Sequence, residues 1–65
     1  MLSDDDRVRL ERLYPPALEQ AGELDSPRNR SVAASDFWAF LLMGGGSDDE
    51  ATDALVRGLR SCDAR

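Results

Sequence analysis

Residues 37–43 read FWAFLLM, seven apolar residues without a break, and run straight into Gly44-Gly45-Gly46. A helix carrying such a run has no polar side to offer water, so it must be covered around its whole circumference. The run is far shorter than the ~20 residues that span a bilayer, so the cover has to be protein. Either the flanking segments wrap around 37–43, or a second polypeptide completes the job.

The options for stabilising a chain of 65 residues are few. A domain of this size buries only about 60% of the surface its unfolded chain exposes. Disulfides, a metal or another subunit commonly make up the difference. Cys62 is the sole cysteine and histidine is absent, which excludes an internal disulfide and a structural zinc site. Efficient helix packing or association with another chain remains.

The flanks carry helical signals. Ser3 before Asp4-Asp5-Asp6 marks a helix start, since a serine oxygen caps free amides and carboxylates suit the positive end of the dipole. Leu10, Leu13, Tyr14, Ala17, Leu18 and Ala21 then fall on one helical stripe. Pro15-Pro16 remove two amide donors and push Tyr14 from helical dihedrals. The expectation is a helix over 4–14 and another over 16–22, broken or kinked at the prolines but facing one core, with Gly22 as the cap. Asp5 and Arg9, four apart, are expected to pair on the exposed face.

Residues 25–31, DSPRNRS, gather turn formers without periodicity, so the connection is expected to span 23–35. Ser35 and Asp36 then cap a helix over 36–43 that stops on the glycines. Ser47 and Glu50 form a capping box that opens a last helix over 48–62. Its apolar face is Ala51, Ala54, Leu55, Leu59 and Cys62, with Val56 beside it. Gly58 in its middle marks a place where another helix can approach closely. No strand-like alternation and no internal repeat is present. The expected fold is all-α: one domain over 1–65, a small bundle of three main helices with the first broken, and loops at 23–35 and 44–47.

Charge narrows the function classes. The net charge of −5 opposes general binding to nucleic acid or anionic membranes. A helix-turn-helix DNA reader needs outward Arg, Lys, Asn or Gln on its recognition helix, and 37–43 offers none. With no histidine, no lysine and one thiol, general acid-base or nucleophilic work lacks its usual groups. An enzyme, a metal or other cofactor and a small-molecule substrate are not expected. The acidic clusters 4–6 and 48–50 lack the alternating spacing of a calcium loop and are explained by capping. The glycines precede acidic residues and no lysine follows, which is unlike a phosphate cradle. Cys62 has no base to activate it and is expected to act as a small apolar side chain.

A protein-interaction module remains. If Phe37, Phe40, Leu41 and Met43 face inward, Trp38 and Leu42 share the opposite side, where an aromatic anchor suits a self-association or partner surface. Phe37, Arg28 and Arg30 complete the candidate set, the arginines as contacts to an acidic partner. The expected role is an accessory subunit or regulator of a larger complex, acting through a protein partner or a homodimer. The alternatives are a small inhibitor or DNA mimic, of phage origin among the options, and a helix-turn-helix-like transcriptional regulator. An acidic start where a targeting segment would be basic, together with a lone cysteine, points to a cytoplasmic chain. Basic residues that are all arginine suggest a high-GC bacterium or its phage.

Overall fold

In the computed structural model, which describes residues 2–63 and no side chain beyond Ser61, three helices make up the fold: α1 (Asp4–Ala21), α2 (Pro27–Leu42) and α3 (Asp48–Asp63). Cys62 falls in α3 by its backbone, and its expected apolar role lies outside the described side chains.

Helix α1 starts where the serine predicts: the Asp6 amide donates to Ser3 Oγ at 3.2 Å. It then continues through Pro15 and Pro16 to Ala21 without the expected break. The amides that proline lacks would have met the carbonyls of Glu11 and Arg12, four residues back. Both residues and both prolines are exposed, so water reaches the orphaned carbonyls. On the inner side Leu13, Ala17 and Leu18 are buried. Core packing across the proline pair outweighs the local preference against helix there. Gly22, at φ 71°, ends the helix, with its amide donating to Glu19 and the Glu23 amide donating to Leu18. This is the paired-bond ending that a left-handed residue permits.

The larger correction concerns the connection. Residues 27–35 are helical, and the loop is confined to the few residues around 22–26. Ser26 caps α2, its Oγ accepting from the Asn29 amide at 3.0 Å, and Pro27 occupies the first turn, where a missing amide costs nothing. Asn29 is buried and its side-chain amide donates to the Leu24 carbonyl at 2.7 Å, fastening the loop to the helix. Ser35 and Asp36 are therefore mid-helix residues, and FWAFLLM is the C-terminal end of a helix of 16 residues. That end is built on Gly44 (φ 108°) and Gly45 (φ 69°), whose amides donate to Leu41 and Phe40. Both angles suit glycine alone.

Helix α3 opens on the expected box: the Ser47 amide donates to Glu50 Oε1 at 3.1 Å and the Glu50 amide to Ser47 Oγ at 3.2 Å. Its inner stripe, Ala51, Leu55 and Leu59, is fully buried. The chain runs up, down and up, so α1 and α3 lie parallel: Arg12 reaches Asp48 at one end and Arg60 donates to the Gln20 carbonyl at the other. A cation at a helix C-terminus is favourable there. α3 packs against both other helices, which meet each other over less surface. Phe37, Leu55 and Leu59 form the centre of the core, each contributing about 1.5–3 kcal/mol by its burial.

Candidate functional site

The outward face of α2 carries most of the candidate residues. Asn29, Ala33 and Phe37 point into the core, with Phe40 and Leu41 packed against it. On the other side Arg28, Ser31, Ser35, Trp38 and Leu42 are all exposed. Trp38 and Leu42 are thus neighbours on one open face, 39% and 67% accessible. Met43, expected inside, is 89% accessible instead, because the helix has already ended and the chain is turning into the glycines. Phe37 is 0% accessible and belongs to the core, so it supports this face from beneath and offers nothing to a partner.

The two arginines have different surroundings. Both lie in the first turn of α2, the positive end of the helix, where cations are unfavourable. Arg30 is held by a forked pair to Asp25, Nε to Oδ1 at 2.8 Å and Nη2 to Oδ2 at 2.7 Å. Tyr14 donates its hydroxyl to the same Oδ1 at 2.8 Å. The Arg30 hydrogen bonds, aided by that from Tyr14, hold the Asp25 carboxyl at about 2, while Arg30 is pushed up by the same carboxylate. Desolvation, then the hydrogen bond to Asp25, raises the Tyr14 phenol. Asp25 is therefore the clasp, joining Arg30 of α2 to Tyr14 of α1. Arg28 lies at the exposed start of the face that carries Trp38 and Leu42.

An open groove of about 520 Å³ lies between α1 and α2, floored by Leu10, Leu18 and Ala33 and rimmed by Tyr14, Asp25 and Arg30. Nothing in the sequence spacing announced it, since it depends on the helical 27–35 segment lying against α1.

The acidic helix starts resolve into structure. Asp48 accepts from Arg9 Nε at 2.8 Å and from Arg12 Nη2 at 2.9 Å, and Arg9 Nη2 also donates to the Gly46 carbonyl at 2.7 Å. Arg9 thus pairs across the bundle and not with Asp5. Its guanidinium also lies 5.7 Å and 6.0 Å from the Phe37 and Phe40 ring centres, within cation–π range. One arginine therefore covers the aromatic pair and anchors the glycine turn. Among the described residues no cluster of three or more carboxylates, thiols or imidazoles is disposed to hold a metal ion. No helix there is long and apolar enough to cross a membrane.

Gly58 meets α2, as its position in α3 suggests. The Asp36 carboxylate sits on it so closely that a Cβ would overlap Asp36 Oδ2. That oxygen is buried without a hydrogen bond, and desolvation raises the carboxyl.

Comparison with protein families, with curated proteins and with solved structures finds no match to this chain.

Proposed function

We propose that the chain is a small acidic protein–protein interaction module, an accessory subunit or regulator of a larger complex in the cytoplasm, which docks through the outer face of α2. The observation that carries this reading is the exposure of Trp38 and Leu42, one helical turn apart, above a fully buried Phe37. A tryptophan held on a rigid core loses little freedom on binding, and aromatic anchors of this kind dominate interface energetics. Several charges serve the chain's own architecture: Asp48 pairs with Arg9 and Arg12, Asp25 with Arg30, and Glu50 caps its helix start.

The test is capture with the tagged chain and with a Trp38→Ala, Leu42→Ala variant, compared by mass spectrometry and quantified for stoichiometry. Loss of a stoichiometric partner with unchanged helical circular dichroism is expected. Identical captured proteins from both would overturn the proposal.

A further inference from the structure

The outer face of α2 has the spacing of a helix–helix seam. Arg28, Ser31, Ser35, Trp38 and Leu42 follow one another at intervals of three, four, three and four, and all five are exposed. That alternation is the one by which one helix keeps a single face against another. The positions flanking the seam, Val32, Ala34, Ala39 and Leu41, are apolar as well. Between Ser31 and Leu42 the sole charged residue is Asp36, which is turned toward Gly58 of α3. In a chain with net charge −5, this is a seam without a carboxylate.

From this we infer that the seam is covered by a second copy of the same chain, with α2 packed antiparallel on α2 about a two-fold axis between Ser35 and Trp38. The inference rests on the reading of this face as an association surface and names its occupant. The antiparallel register is fixed by size. It sets each Trp38 over the other copy's Ser35 and each Leu42 over the other's Ser31, large against small at every layer, as close packing requires. A parallel pair would stack tryptophan on tryptophan and leave serine facing serine.

Charge selects the same arrangement. The register brings each Arg28 beside the other copy's Gly45, where the chain leaves α2 and the negative end of that helix lies. α2 has no acidic residue in its first turn and no basic residue in its last. The cation at its C-terminal turn comes from α1, Arg9 donating to the Gly46 carbonyl, and an antiparallel copy adds its Arg28 at that end while opposing the two dipoles. The face is self-complementary, which is what a two-fold dimer demands.

Sedimentation velocity of the whole chain across the micromolar range is expected to show a reversible species of twice 7.2 kDa. Trp38→Ala with Leu42→Ala should raise the dissociation constant about tenfold or more. Arg28→Glu should raise it about two- to fivefold at low salt. Orientation is read by oxidative cross-linking in a Cys62→Ser background. Mixing a Ser31→Cys chain with a Leu42→Cys chain should give the mixed disulfide, and neither chain alone should cross-link efficiently. Disulfides within each unmixed sample would overturn the antiparallel register. A monomer at every concentration would overturn the dimer and leave the capture experiment to judge the interaction face on its own. A dimer indifferent to the double alanine variant would overturn the seam as its interface, and the interaction face would again be judged by the capture experiment.

Discussion

Asp25 is exposed, yet three hydrogen bonds from Arg30 and Tyr14 converge on it. Its folded value, about 2, lies below the ordinary 3.8, so the linked stability is present above the ordinary value and fades as pH falls toward 2. Asp25→Asn should therefore flatten the acid limb of the stability profile. Denaturation midpoints followed from neutral pH down to about 2 would check it: an acid limb unchanged in the variant would contradict the clasp. Asp36 has the opposite sign. Burial raises its carboxyl, so its ionised form is disfavoured in the fold, and the relative stability it lends below the unfolded pKa is lost as pH rises through the folded one. An added Cβ at Gly58 would overlap Asp36 Cγ as well as Oδ2, so the whole carboxyl must turn away at the α2–α3 contact. Gly58→Ala should thus displace the carboxylate and lower stability by about 1 kcal/mol or more in urea titration, overpacking outweighing the helix-propensity gain. It should also return Asp36 toward the usual carboxylate range, which a carbon-detected NMR titration would read.

At the scale of the helix, Asp48 joins α3 to α1. Asp48→Ala removes two ion pairs and a carboxylate from the first turn of α3, and should lower stability by about 1 kcal/mol in urea titration, less at high salt. The partners of Asp48 were invisible in the sequence, because Arg9 and Arg12 approach it from more than thirty residues away. Local spacing announced several caps, missed Ser26 and wrongly placed one at Ser35-Asp36. The caps at Ser3, Gly22, Gly44 and Ser47 depend on residues within a turn of one another, and so does the inner stripe of α3. Prolines misled in both directions. Pro15-Pro16 looked like a break, but a helix tolerates missing donors where its carbonyls face water and its other side is held by a core. Pro27 after Ser26 looked like a turn, although a capping serine followed by proline is also how helices begin. The deciding signal was present: Asn29, Ala33 and Phe37 follow at intervals of four, the inward face of α2. An asparagine in that stripe hid it, being buried by virtue of bonds to a loop not yet placed. Of the candidate site, the opposition of Trp38 and Leu42 to Phe37 was legible from helical angles alone; the separate fates of Arg28 and Arg30 were not.

For the whole molecule, the three helices enclose one core inside 29 × 19 × 18 Å, with no staple among the described residues beyond packing and surface ion pairs. Association would then add directly to stability by mass action. The melting temperature is expected to rise with protein concentration, and the Trp38→Ala, Leu42→Ala variant should lose that dependence; parallel behaviour of the two proteins in calorimetry would refute the coupling. The parallel arrangement of α1 and α3 has a consequence for synthesis. Because α1 and α2 share little surface until α3 lies against both, a nascent chain ending near the glycine turn has two helices and no closed core. Ala51, Leu55 and Leu59, which complete that core, leave the ribosome after both other helices. Closure of the core must therefore await α3, and until then Arg9 lacks the Asp48 carboxylate that holds it over Phe37 and Phe40.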